Sequence, residues 1–165
     1  MSATAHGRPD NKFTRFFRFL ANMGLVIHDD PPKVIDLSGR EFGPEAEGLA
    51  ISIRELPRED PGQVTGISIV MRNSGPHAKT LNVPPWTFFY RISGLELTPY
   101  GRQFMSAGPK SKNIEVTLGP GDAIETDLPL STIYQLRAGE TYPVQVSCTL
   151  RDGAEPTSNE ITIRV

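Results

Sequence analysis

The residues of this sequence that could take part in catalysis or metal binding are few and widely spaced. The three histidines are His6, His28 and His77. None of them stands four residues from another, the spacing that places two imidazoles on one face of a helix to bind zinc. The single cysteine, Cys148, falls on the inward phase of a predicted strand, which favours an apolar filler over a nucleophile. The sequence therefore predicts no catalytic residue, no cofactor and no metal, and we expect a protein that is not an enzyme.

A second set of residues could bind a partner. Phenylalanines and a leucine recur at helical spacing between residues 12 and 24, with arginines on the opposite side, which predicts a basic amphipathic helix. The residues predicted to contact a partner there are Phe13, Arg15, Phe16, Phe17, Arg18 and Leu20. Three hypotheses follow: the helix covers an edge of the main domain, it docks on a protein groove or an anionic membrane surface, or it is a targeting segment.

The stretch from residue 114 to 150 predicts how the rest of the chain is built. Apolar and polar residues alternate over Ile114–Leu118 and again from Ile124 to Leu128, the period of strands with one buried face. Between them, Gly119–Asp122 has the proline and glycine of a type II turn, which we expect to close a hairpin. From Tyr142 to Leu150 a longer alternating strand follows, with its polar residues on a solvated face.

Tyr142 stands at the start of that late strand, after the segment Leu136–Thr141. This setting resembles the tyrosine corner of immunoglobulin-like sandwiches, in which the phenol hydroxyl turns back onto upstream backbone. The resemblance implies a structural role for Tyr142, with an upstream carbonyl as the expected partner of its hydroxyl.

Further strands are predicted from residue 49 to 54, 64 to 72, 86 to 92 and 161 to 165. Trp86 shares the inward face of its strand with other large apolar residues and is expected to be structural, whereas Phe89, on the opposite face, is a further candidate for partner contact. The segment from residue 95 to 106 is predicted to form a hairpin around Pro99–Gly101. The total is about eight strands at the spacing typical of a β-sandwich.

Two runs carry a family resemblance: residues 72–94, with an asparagine turn at Asn73, and residues 117–146. Together they resemble the immunoglobulin-like accessory (pro-region) domain of aspzincin metallopeptidases, over roughly residues 48–150. The catalytic part of that family has a His-Glu-x-x-His helix, which this sequence lacks. The resemblance therefore implies a fold and a non-catalytic accessory role.

Composition sets the remaining limits. A net charge of −2 argues against a nucleic-acid partner, and the single cysteine and the lack of a long apolar run favour the cytoplasm. We predict an all-β protein with a tail and amphipathic helix in residues 1–32 and an immunoglobulin-like antiparallel β-sandwich in residues 33–165. The predicted function is a non-enzymatic protein-interaction or accessory module, inhibitor-like in one version. The alternatives are a peripheral membrane-binding module that uses residues 12–24, and a hydrolase with an unrecognised site.

Overall fold

A computed structural model describes residues 35–58, 65–83, 91–92, 94–107, 114–150 and 153–165. These residues form nine strands and two short helices. The strands are β1 (Leu49–Glu55), β2 (Ile67–Asn73), β3 (Lys79–Val83), β4 (Arg91–Ile92), β5 (Ile114–Leu118), β6 (Ala123–Leu128), β7 (Thr141–Val144), β8 (Val146–Ser147) and β9 (Ile161–Arg164). The helices are α1 (Pro99–Ala107) and α2 (Leu130–Ile133). Antiparallel strands with little helix confirm the all-β class. Several predictions lie outside the described residues: the helix at 12–24, the boundary at residue 32, and the roles of Trp86 and Phe89.

The largest sheet of the described chain has β2 in the middle, paired antiparallel with β1 on one side and β6 on the other. Ile51 stands opposite Met71, and Met71 stands opposite Ile124, so side chains of one phase share one face across all three strands. On that face the aliphatic side chains of β1 and β2 are fully buried or nearly so. The predicted alternation of these strands is confirmed, and it gives one wall of the hydrophobic core.

The Gly119–Asp122 segment forms a turn but does not close a hairpin. The Asp122 N–H donates to the Gly119 carbonyl over 3.0 Å, and Gly121 has a φ of 85°, as a type II turn requires. However, β5 pairs with β3, whereas β6 pairs with β2. The predicted hairpin is therefore wrong, because the turn carries the chain from one sheet to another.

The strand predicted from Tyr142 to Leu150 is divided at Gln145 into β7 and β8. β7 pairs with β9, and β8 pairs with β4. The break occurs where the Val146 N–H donates to the hydroxyl of Ser158 instead of to a backbone carbonyl. The inward phase is nevertheless kept, since the remaining side chains of this phase are buried: Val144, Val146, Cys148 and Leu150.

The segment from residue 95 to 106, predicted to be a hairpin, contains the helix α1 instead. Thr98 is the physical reason, because its hydroxyl accepts the Gly101 N–H over 2.9 Å and so caps the first turn. Pro99 follows at the first helical position, where its missing N–H costs nothing. Gly101 is needed there, since a Cβ would lie 2.1 Å from the carbonyl oxygen of Ile133.

Candidate functional site

The second face of the β1–β2–β6 sheet carries buried polar side chains together with charged ones. We call it the polar face, defined by the following residues. They are Ala50, Ser52 and Arg54 of β1, Ser68, Val70 and Arg72 of β2, and Ala123, Glu125 and Asp127 of β6. Its centre is not solvated, because Ser52 and Ser68 are 1% exposed and Val70 is 0% exposed. When a sheet buries charged and hydroxyl groups on its second face, these groups need hydrogen-bond partners inside the protein.

Arg40 reaches this face from the segment that precedes β1. Its Nη2 donates to the Ser68 hydroxyl over 2.7 Å and to Glu125 Oε1 over 2.8 Å, and the Ser68 hydroxyl donates to the same carboxylate oxygen over 2.6 Å. The side chains of Arg40 and Glu125 are only 1% and 11% exposed. The three groups therefore form a closed, buried triangle that joins three distant parts of the chain.

The segment that carries Arg40, residues 36–43, lies against the sheet at several points, and we call it the strap. The Gly43 N–H donates to the carbonyl of Ile51 in β1 over 2.9 Å, and within the strap the Arg40 Nε donates to the Asp36 carbonyl over 3.2 Å. The Phe42 ring centre lies 4.3 Å from Cζ of Arg72, a cation–π contact. The strap thus holds two arginines, one of its own and one of β2, against the polar face.

The electrostatics of the strap reflect burial and neighbouring charges. Burial lowers the pKa of the Arg40 guanidinium, as does the nearby Arg54, while the Glu125 carboxylate opposes both effects. At the exposed start of the strap, hydrogen bonds from the Ser38 hydroxyl and N–H lower the pKa of the Asp36 carboxyl. Arg40 is therefore a charge held in a desolvated position by its carboxylate partner.

The chemistry available to this triangle is limited by its own hydrogen bonds. Glu125 Oε1 already accepts from two donors, and Ser68 both accepts from Arg40 and donates to Glu125. Elsewhere, Cys148 is fully buried, and burial together with the Glu155 carboxylate raises the pKa of its thiol to about 12. Within the described ranges, no group of three histidine, cysteine or acidic side chains is placed to hold a metal ion.

Tyr142 forms the corner that its sequence setting indicated. Its hydroxyl accepts the backbone N–H of Arg137 over 2.9 Å, so the phenol does turn back onto upstream backbone. The prediction that the hydroxyl donates to an upstream carbonyl is wrong, because it donates to Glu140 Oε2 over 2.8 Å instead. The phenol is half-buried, and it fixes the chain direction at the entry to β7.

The residues predicted to contact a partner all lie outside the described part of the chain: Phe13, Arg15, Phe16, Phe17, Arg18, Leu20 and Phe89. Conversely, Arg40, Ser68 and Glu125 were not predicted from the sequence. One signal was present, since Ser68 and Glu125 occupy the polar phase of two strands. That phase does not predict that Ser68 and Glu125 are buried. Their burial depends on Arg40 of the strap, which lies 28 positions from Ser68 and 85 positions from Glu125 in the sequence.

Comparison with known proteins identified no relative of this chain. No family model, curated protein or solved structure matches the chain. Among the helices of the described residues, none has the length and apolar character needed to span a membrane.

Proposed function

We propose that this chain is a non-enzymatic interaction or accessory module of the cytoplasm, built on an immunoglobulin-like β-sandwich. In that fold, strand B lies between A and E in one sheet, and strand F lies between C and G in the other. Two sets of pairings support the proposal: β2 lies between β1 and β6, and the consecutive strands β7 and β8 pair with β9 and β4, respectively. In that topology a tyrosine corner lies at the entry to strand F, and the corner that Tyr142 forms at the entry to β7 supports the assignment.

The hydrophobic core supports the same arrangement. Buried side chains of the β1–β2–β6 sheet, such as Ile51 and Met71, belong to one cluster with Ile92 of β4, Val146 of β8 and Ile163 of β9. One cluster shared by strands of two sheets is what a sandwich requires. A parallel bridge between Ile51 and Ser158 further links β1 to the segment that leads into β9.

The observation that carries the functional proposal is the closed triangle of Arg40, Ser68 and Glu125. Its hydroxyl and carboxylate resemble a nucleophile with a base, since the Ser68 hydroxyl donates to Glu125, yet the Arg40 guanidinium donates to both of them. Buried polar networks rigidify a core, and this structural role of the triangle supports a module that works through surface contacts. The interaction surface that we propose comprises the predicted helix at 12–24 and Phe89.

The test is an affinity capture from cell extract with the full chain and with a chain that begins at Lys33, followed by titration of each captured protein in purified form. We expect at least one purified protein to bind the full chain saturably, and Phe13→Ser/Phe17→Ser to weaken binding about ten-fold or more, as loss of two buried aromatic anchors does. Thr14→Ala, on the other side of the predicted helix, serves as the matched control. Saturable turnover of an ester or peptide substrate that Ser68→Ala abolishes would overturn the proposal.

Membrane binding is separated from protein binding by a second arm. Vesicles with and without anionic lipid are sedimented with the wild-type chain and with Phe13→Ser/Phe17→Ser. The proposal expects no sedimentation that depends on anionic lipid. Sedimentation that needs both phenylalanines would replace the protein partner with a membrane surface.

A further inference from the structure

The strap lies on the polar face with little apolar burial of its own. Its two large apolar residues, Leu37 and Phe42, are only half-buried, and no strap residue belongs to the buried hydrophobic cluster of the described chain. The Phe42 ring meets the guanidinium of Arg72. Because burial of apolar surface is the dominant favourable term in folding, the strap gains less from docking than a core strand gains from pairing.

The polar contacts that hold the strap carry an electrostatic cost. The Arg40 side chain is 1% exposed, and its Nη1 is buried without a hydrogen-bond partner in the described structure, as is Nε of Arg72. Burial and the nearby Arg54 lower the pKa of the Arg40 guanidinium more than the neighbouring carboxylates raise it. Since an arginine keeps its proton, this imbalance is a cost of docking the strap. Desolvation therefore offsets part of the attraction between Arg40 and its carboxylate partner.

The turn between the strap and β1 is strained. The Ala46 N–H donates to the Leu49 carbonyl over 2.9 Å, and the Leu49 N–H donates back to Ala46 over 3.0 Å. Between them, Glu47 has a φ of 51° and Gly48 a φ of 77°, and Glu47 is the one non-glycine residue of positive φ in the described chain. That conformation costs an L-residue free energy. Beyond the turn, β1 is paired with β2 over its whole length, so the strain lies where strap and sheet meet.

We propose that the strap opens as a unit about Glu47 and Gly48 while the β1–β2–β6 sheet stays paired. Opening returns the buried nitrogens of Arg40 and Arg72 to water and lets Glu47 leave the left-handed region. In the sequence the strap lies between the predicted helix at 12–24 and β1, so opening lengthens the free chain that joins them. This effect on the reach of the helix rests on the proposed function, whereas the opening itself does not.

The experiment is native-state hydrogen exchange of the full chain, followed by NMR without any partner, so its outcome does not depend on the proposed function. Two amides are compared. Gly43 N–H is bonded to Ile51, and Ile69 lies in the centre of β2, between Ile53 and Thr126. After correction for intrinsic rates, we expect Gly43 to exchange on the order of 100-fold faster, with a weaker dependence on urea, because local opening exposes little surface. Equal protection and equal urea dependence would overturn the proposal.

One variant distinguishes opening of the whole strap from fraying of the Gly43 bond alone. Arg40→Met removes the anchor, so exchange at Gly43 should accelerate about ten-fold or more, the effect of lost charge-assisted hydrogen bonds. Ile69 should stay protected. Arg137→Met, which removes the same charge from a side chain that is 82% exposed, should change neither rate. An unchanged Gly43 rate in Arg40→Met, or loss of protection at both amides, would overturn the proposal.

A second variant tests whether the strap is separate from the rest of the fold. Tyr142→Phe removes a hydrogen bond at the corner, outside the strap. Because Ile69 exchanges through global unfolding, its rate should rise about five-fold, the effect of one lost hydrogen bond. The Gly43 rate should not change, since opening of the strap leaves the corner intact. An equal acceleration of both amides would show one cooperative unit and contradict the separate strap.

Discussion

The Arg40 guanidinium and the Glu125 carboxylate meet at 2.8 Å although 85 positions separate them in the sequence. Both side chains are almost fully removed from solvent. The pair therefore joins the strap to the far edge of the β1–β2–β6 sheet, and its desolvation makes each partner dependent on the other. This relationship makes the centre of the polar face an internal layer of the protein instead of a solvated surface.

Gly43 should tolerate no side chain, because it fixes the end of the strap. A Cβ at this position would lie 2.0 Å from the carbonyl oxygen of Thr157, a backbone atom that cannot rotate away. We expect Gly43→Ala to lower the free energy of unfolding by about 3 kcal/mol, as overpacking against backbone does, measured by urea denaturation. Gly39→Ala is the matched control, since its Cβ would meet nothing within 4 Å and only its φ of 64° costs about 1 kcal/mol. Equal losses in the two variants would show that the strap does not pack as described.

Replacing Asn73 by aspartate, its closest isostere, should destabilise the protein. Its fully buried amide donates to the carbonyls of His77 and Leu118 over 2.8 and 2.9 Å, and its Oδ1 accepts the Gly75 N–H over 3.0 Å. Asn73→Asp puts a carboxylate oxygen against two carbonyl oxygens, so we expect a loss of about 3 kcal/mol or more in the free energy of unfolding. Ser74→Ala, which removes an exposed hydroxyl bonded to Glu45, should cost less than about 1 kcal/mol. A mild effect of Asn73→Asp would mean that this amide does not join the end of β2 to β5.

The alternating strands, the buried phase of Cys148 and the corner at Tyr142 could be predicted because each depends on neighbours in the sequence. The split at Gln145 could not, since it results from the Ser158 hydroxyl, a partner brought in by tertiary structure. The helix α1 was missed for a different reason. Its capping threonine and first-turn proline, Thr98 and Pro99, were present, but the same proline and a nearby glycine also fit a turn.

Because of Cys148, the free energy of unfolding should fall as the pH becomes alkaline. Burial and the Glu155 carboxylate raise the pKa of its thiol to about 12, so the folded chain keeps a proton that the unfolded chain loses near its ordinary pKa of about 8.5. The stability from this thiol is therefore complete below about pH 8.5 and falls as the pH rises towards 12. We expect the free energy of unfolding to fall between pH 8 and pH 10.5 in the wild type, and to fall less in Cys148→Ala.

A thiol reagent checks the same claim at fixed pH. At pH 8, Ellman's reagent should modify Cys148 only after the chain is unfolded in urea, because the folded thiol is buried and protonated. Rapid modification of the folded chain would contradict the assigned burial.

The Tyr142 hydroxyl should contribute a measurable but modest stability. Tyr142→Phe leaves the Arg137 N–H without its partner in a half-buried place, so we expect a loss of about 1 kcal/mol in the free energy of unfolding. Glu140→Gln keeps an acceptor for the phenol proton and should cost less than Tyr142→Phe. If Glu140→Gln were the more damaging change, the corner would depend on the carboxylate and not on the backbone bond typical of a tyrosine corner.

The most direct measurement of the internal polar layer is a double-mutant cycle on Arg40→Met and Glu125→Leu, with the free energy of unfolding as the readout. Because each single change removes the opposite charge from a buried charged group, we expect each to cost about 3–5 kcal/mol, and the double variant to cost clearly less than their sum. The pair of Lys79 and Glu47, at 3.6 Å and partly exposed, is the control and should couple by less than about 1 kcal/mol. Single costs below about 1 kcal/mol at Arg40 and Glu125, with no coupling between them, would contradict the buried pairing on which this account depends.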